Sequence, residues 1–179
     1  MRILLYRGDG EIGHWAEDLA RAIPGVQTLG WQEGDTLAPC DYAVLWNPAP
    51  SLLPQLAQVK AVFLMGAGAD AILKFGDALP DVPIVRLGDA GMAVQMAEYV
   101  VYATLRYFRR FDEYEEQARH GLWAPLPVYA KDEFTIGVMG LGKLGLRVVE
   151  TMRSFGFPVR GWSRTPKDLP GVDCFAGME

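Results

Sequence analysis

Gly140, Gly142 and Gly145 stand in a G-x-G-x-x-G run whose other members are Leu141, Lys143 and Leu144. That spacing suits the cradling of a pyrophosphate. The first glycine makes a tight turn, the second admits close approach of backbone to phosphate, and the third lets a helix pack on a strand. A helix beginning there points unpaired N–H groups and the positive end of its dipole at the anion. The flanking pattern agrees. Thr135–Met139 reads as a buried parallel strand, and Leu144, Val148, Val149, Met152 and Phe155 recur at helical spacing. Pro158–Trp162 reads as a second strand. The competing reading is a glycine-rich strand-to-helix turn that binds nothing.

A site for a free ribose 2′-hydroxyl places Asp or Glu about 20 residues beyond the glycines, at the end of the second strand. Here that position reads Trp162-Ser163-Arg164-Thr165-Pro166-Lys167, with two cations and no carboxylate. A 2′-phosphate needs charge-assisted donors and is repelled by a carboxylate. The guanidinium of Arg164 can also stack on adenine. Ser163 and Thr165 add hydroxyl donors. These residues predict NADP(H) in preference to NAD(H). Otherwise Arg164 and Lys167 are ordinary solvated charges.

A second turn, Gly66-Ala67-Gly68, follows an apolar strand. Consecutive N–H groups in such a turn form an anion nest, and ligands of open α/β sheets bind beyond the carboxyl ends of strands. The turn is either such a nest or simply the start of a helix. Trp46 ends a neighbouring strand, where it lines a pocket or fills a core. The two histidines, His14 and His120, stand at helix ends and read as structural. Arg86 is the one arginine near a strand end that merits inspection. Cys40 and Cys174 lie far apart without metal-ligand spacing, so reduced thiols and no metal are expected.

Elements must position these groups. Arg2–Tyr6, Tyr42–Trp46, Lys60–Met65 and Pro83–Leu87 read as strands, with helices over His14–Ile23 and Leu52–Ala57. Short strands alternating with short helices imply a parallel, doubly wound sheet. A long helix is expected from Met92 to about Ala118. Its stripe is Met92, Met96, Tyr99, Val100, Ala103, Tyr107, Phe111 and Tyr114, and its apolar first half should be buried between layers. Pro125 and Pro127 make 120–132 a loop. The expected organisation is a first domain over 1–91, a linking helix and loop over 92–133, and a nucleotide-binding segment over 134–179.

Bulk properties narrow the classes. The 179 residues are 50% hydrophobic and 22% charged, with net charge −5. Such composition is globular, and an acidic surface disfavours nucleic acid as a partner. No apolar run reaches membrane-spanning length, and the N-terminus enters a strand rather than a signal peptide. A cytoplasmic protein without membrane contact is expected.

Taken in order, Gly66–Asp70, Met96-Ala97-Glu98-Tyr99 and Gly140–Gly145 resemble the D-isomer-specific 2-hydroxyacid dehydrogenases. The detail in Phe108–Asp112, Pro125–Pro127, Asp132–Gly137 and Trp162–Thr165 looks most like their glyoxylate/hydroxypyruvate reductase A branch. The resemblance implies an α/β chain: a flavodoxin-like N-terminal substrate domain, then the first part of a Rossmann NAD(P)-binding domain. It implies that Ala67 and Gly68 donate to a substrate carboxylate, and that NADPH reduces glyoxylate to glycolate and hydroxypyruvate to D-glycerate. It also implies that the chain stops two strands into a nucleotide sheet of about six. The family's Arg, Glu and His of catalysis find no motif match here, so no catalytic residue is assigned and the chain alone is expected to be inactive. The alternatives are a non-catalytic NAD(P)-binding sensor and a truncated remnant. The aromatic stripe and loop suggest a homodimer.

Overall fold

Leu4, Leu45 and Val62 are wholly buried at the centre of a sheet whose strands are short and apolar. The computed structural model describes residues 1–177, so the last two positions of the expected 134–179 segment lie outside it. The chain divides into two units, Met1–Gly88 and Asp89–Glu179.

The first unit runs β1 (Arg2–Arg7), α1 (Gly13–Ala22), β2 (Gln27–Leu29), β3 (Tyr42–Trp46), a 3-10 helix (Pro50–Gln58), β4 (Ala61–Leu64), α2 (Asp70–Leu73), a second 3-10 turn (Gly76–Ala78) and β5 (Ile84–Arg86). The strands pair in the order β2-β1-β3-β4-β5, all parallel. This is the flavodoxin-like order. The expected helix at 52–57 is a 3-10 helix with Pro54 inside it. Proline has no N–H for an α-helical bond and clashes with the preceding turn. Leu52, Leu53 and Leu56 nevertheless cover the sheet from it. The strand β2 was not expected, because three residues, Gln27-Thr28-Leu29, are too few to show a period.

The second unit runs α3 (Met92–Phe108), α4 (Phe111–Arg119), β6 (Ile136–Met139), α5 (Lys143–Ser154), β7 (Val159–Ser163) and β8 (Asp173–Ala176). Its parallel sheet has the order β6-β7-β8. Three strands are present among the described residues, not the two expected. The third was hidden because the apolar run Cys174-Phe175-Ala176 is only three residues long, too short to show a period.

The long helix departs from expectation in three ways. It breaks at Arg109–Arg110, where Arg110 takes a left-handed φ of 58°. Arg110 is held there by a two-pronged bond to Glu113 and a bond to the Pro127 carbonyl. Its first half is not buried on all faces: Tyr99 is 72% and Tyr102 64% exposed. The packing face is instead Ala97 and Phe108 with Val100, Val101 and Leu105, against Val148, Val149 and Met152 of α5. Small Ala93 and Ala97 let the helix sit close, while Met92, Met96, Tyr99 and Tyr107 of the expected stripe are exposed. The helix read as a link thus belongs to the second unit.

The glycine turn depends on one close approach. A Cβ on Gly145, in the first turn of α5, would collide with the carbonyl oxygen of Gly140. Gly140 itself has φ 101°, open to glycine alone at low cost. The obstruction at Gly145 is backbone, so no side chain can yield. Gly145→Ala is therefore expected to destabilise the second unit by about 1–3 kcal/mol. Gly137→Ala, where a Cβ meets nothing within 4 Å, should leave it near wild type. Chemical denaturation followed by circular dichroism compares the two.

Candidate functional site

In the second unit, β6 hands its ladder to the turn through the Gly140 N–H, which donates to the Trp162 carbonyl at 2.8 Å. The Leu141 side chain then dives into the core, 1% exposed, against Gly161 of β7. A Cβ on Gly161 would stand 2.8 Å from Leu141 Cδ2, so this small strand residue makes the room. Gly142 precedes α5, and its carbonyl accepts the Leu146 N–H at 2.9 Å. The N–H groups of Lys143, Leu144 and Gly145 have no acceptor among the described residues. Those amides and the helix dipole make the turn an electropositive ledge.

An open groove of about 610 Å³ runs over this ledge, lined by Gly140, Leu141, Gly142, Trp162, Ser163, Arg164, Thr165 and Lys167. Its lining holds two cations and no carboxylate. Lys143, Leu144 and Gly145 lie behind it, in the first turn of α5. Two side chains differ from the sequence reading. Ser163 is buried, and its hydroxyl donates to the Thr165 carbonyl at 2.8 Å, so its one proton is committed. Lys167 is not a free loop charge: its ammonium donates to the Leu141 carbonyl at 2.8 Å and ties the two loops of the groove together. Arg164 and Thr165 are exposed. These residues fit the anionic groups of an NAD(P) dinucleotide: the glycine turn and the unpaired amides suit phosphate, and Arg164 has no ion-pair partner among the described residues.

In the first unit all five strands end on one edge. Arg7 pairs with Trp46, Leu45 with Leu64, and Leu64 with Arg86. Beyond that edge is a cavity of about 170 Å³ lined by Leu45, Trp46, Asn47, Pro48, Leu64, Gly66, Gly68, Ala71 and Ile72. Trp46 and Gly68 meet there, and Ala67 sits between two of the lining glycines. Trp46 is 44% exposed, so it is not a core tryptophan. The guanidinium of Arg7 lies 4.9 Å from its ring centroid. That guanidinium is fixed by Asp9 through Nε–Oδ1 at 2.9 Å and Nη2–Oδ2 at 2.6 Å. Sequence reasoning missed this clamp, because Arg7 and Trp46 become neighbours only through the β1–β3 register.

Neither histidine lines the groove or the cavity. His120 caps α4, with Nδ1 3.0 Å from the Glu116 carbonyl oxygen. Among the described residues no cluster of metal-ligating side chains occurs, and no helix is long and apolar enough to cross a membrane.

Residues 101–174 match the family model described as D-isomer specific 2-hydroxyacid dehydrogenase, NAD binding domain. The whole chain is 45% identical to a glyoxylate/hydroxypyruvate reductase A from Citrobacter koseri. The chain is thus similar, over its whole length, to part of D-isomer-specific 2-hydroxyacid dehydrogenases. It spans 58% of the length of that curated relative. Two solved structures of the family are similar in fold. A D-isomer specific 2-hydroxyacid dehydrogenase from Xanthobacter autotrophicus, in complex with NADPH and MES, has a TM-score of 0.82 at 36% identity, over 99% of this chain and 57% of its own. An NADPH-dependent glyoxylate/hydroxypyruvate reductase from Sinorhizobium meliloti, in complex with NADP and sulfate, has a TM-score of 0.83 at 32% identity, over 98% and 56%. The second unit is thus the opening part of a Rossmann NAD(P)-binding domain.

The clamp on Trp46 carries a pH signature. The hydrogen bond from Arg7 holds the Asp9 carboxyl down at about 2, against an ordinary 3.8. A depressed carboxyl contributes stability above its unfolded value and loses it as pH falls through the folded one. The Arg7–Asp9 pair is therefore expected to survive below pH 3.8 and to open toward about 2. Carboxyl carbon shifts of Asp9 across that range check this, and Arg7→Met should return the midpoint toward 3.8.

Proposed function

We propose that this chain is the substrate-binding unit and the first part of the cofactor-binding unit of an NADPH-dependent 2-oxo acid reductase. Its substrates are glyoxylate, reduced to glycolate, and hydroxypyruvate, reduced to D-glycerate. The observation that carries the cofactor choice is the groove lining, in which Arg164 and Lys167 stand where an NAD-selective site keeps an acid. When bound, the reduced nicotinamide supplies hydride to the oxo carbon, and a proton completes the hydroxyl.

This chain's own residues bind and orient. Gly140, Leu141 and Gly142 shape the turn for the pyrophosphate, and the amides of Lys143, Leu144 and Gly145 donate to it. Arg164 and Thr165 hold the 2′-phosphate, with Ser163 bracing the loop through its bond to the Thr165 carbonyl. In the first unit the amides of Ala67 and Gly68 hold the substrate carboxylate. Trp46 walls the pocket and excludes water, which strengthens those charge-assisted bonds. No histidine or carboxylate of either pocket lining is positioned to give the proton.

We also read the protein as a cytoplasmic homodimer. An apolar groove of about 390 Å³ between α4 and the following loop supports the dimer, lined by Phe111, Tyr114, Leu122, Trp123 and Pro125. Trp123, at its rim, is 93% exposed, so the groove offers a second copy a large aromatic surface to cover.

Two assays test the reading. The full-length protein should oxidise NADPH on addition of glyoxylate, whereas a polypeptide limited to residues 1–179 should bind NADPH without turnover. Failure of the full-length protein to consume NADPH with either oxo acid would sink the assignment. Arg164→Ala should weaken NADPH binding about tenfold, the scale of a hydrogen bond to a charged group. NADH binding should change much less, by about threefold at most, since NADH lacks the 2′-phosphate and loses only the stacking of Arg164 on adenine. Titration of reduced-nicotinamide fluorescence measures both, and equal losses would reject 2′-phosphate recognition by Arg164.

A further inference from the structure

The turn at Gly66-Ala67-Gly68 is held from one side only. The Leu87 N–H, just past β5, donates to the Gly66 carbonyl at 3.3 Å. The Arg86 side chain, from the last residue of β5, donates through Nη1 to the Ala67 carbonyl at 3.0 Å. Two successive carbonyls are thus drawn toward β5. The described chain has no cis peptide bond. In a trans peptide unit the C=O of one residue and the N–H of the next point in opposite directions. The N–H groups of Ala67 and Gly68 must therefore both face away from β5.

What lies on that other side is the end of β3. The strand order places β4 between β3 and β5, and the small cavity is walled by Leu45, Trp46 and Asn47 opposite Gly66 and Gly68. Neither the Ala67 nor the Gly68 amide has an acceptor among the described residues. Without the arginine, Ala67 would keep a carbonyl free to rotate, and the peptide could turn that oxygen toward the cavity. An oxygen there would repel a carboxylate where an N–H should bind it. The Leu87 bond secures only the first of the two peptides.

We infer that Arg86 is a positioning residue: its bond to the Ala67 carbonyl sets the peptide orientation that aims the Ala67 and Gly68 amides at the carboxylate of a 2-oxo acid. This inference rests on the reading of those two amides as carboxylate donors. It assigns Arg86 no contact with substrate. A lysine can supply one donor at similar reach, whereas methionine keeps the apolar stem and loses the donor.

The test titrates the full-length protein with oxamate, a carboxylate-bearing isostere of a 2-oxo acid, by calorimetry and by amide NMR. In the wild type, the Ala67 and Gly68 amide resonances should move downfield on saturation. Arg86→Met should bind oxamate about tenfold more weakly, the scale of one hydrogen bond's worth of orientation. Arg86→Lys should stay within about threefold of wild type, since one donor suffices. NADPH affinity, which reads the second unit, should be unchanged in both variants. If the wild-type amides do not respond to oxamate, the carboxylate reading of the turn fails and the inference falls with it. If they respond but Arg86→Met binds like wild type, the inference alone is overturned. A loss in Arg86→Met that lysine does not rescue, or that comes with a lowered melting temperature, assigns Arg86 a structural role and also overturns it.

Discussion

Parallel strand pairing is the constraint on which this molecule depends. Every strand of both sheets runs the same way as its neighbours. Each crossover must therefore return over a face, and the carboxyl ends of the strands collect on one edge of each sheet. The turns that leave those ends carry backbone groups whose ladder partners have run out. In the first unit that edge gathers Arg7, Trp46, the Gly66–Gly68 turn and Arg86. In the second it gathers the glycine turn and the Trp162–Lys167 loop. The donors left without acceptors at these edges, among the described residues, include main-chain amides, and the strands decide where those amides are left over.

Side chains act chiefly by holding backbone in place. Lys167 caps the Leu141 carbonyl, Ser163 braces the loop at Thr165, and Arg86 pins Ala67. Each bond removes an acceptor from a turn and so leaves the turn richer in donors. The consistent outcome is an electropositive edge in a chain whose net charge is −5. Net charge and local field part company because a few oriented N–H groups and two or three cations dominate at short range, where screening is weakest.

Exposure of the α3 stripe follows from the same economy of contacts. A helix that packs through Ala97, Val101 and Phe108 approaches α5 closely, and its bulkier Tyr99, Tyr102 and Tyr107 are left outside. Apolar content on all sides of the helix predicts burial on all sides. The packing instead selects the face that carries Ala93 and Ala97 beside Phe108, because dispersion contacts need close approach and the alanines permit it. The break at Arg110 could not be seen either, since arginine has no intrinsic preference for positive φ and is held there by Glu113 and Pro127, contacts of the folded state.

Most of the parallel α/β order was legible in the chain, because buried parallel strands are short apolar runs and two glycines of the turn answer to local constraints, Gly140 through its φ of 101° and Gly145 through its contact with the Gly140 carbonyl. The missing carboxylate after β7 was equally plain, since charge type at a known offset is a property of the sequence. The shortest strands, β2 and β8, were invisible, because three or four residues show no period; pairing with a neighbour created them. The clamp of Arg7 on Trp46, the tether of Lys167 and the hold of Arg86 on Ala67 join residues 39, 26 and 19 positions apart. Composition and spacing carry information about what a residue can do with its neighbours along the chain. Which distant carbonyl or ring it meets depends on strand order and register, and those exist only once the sheet has formed.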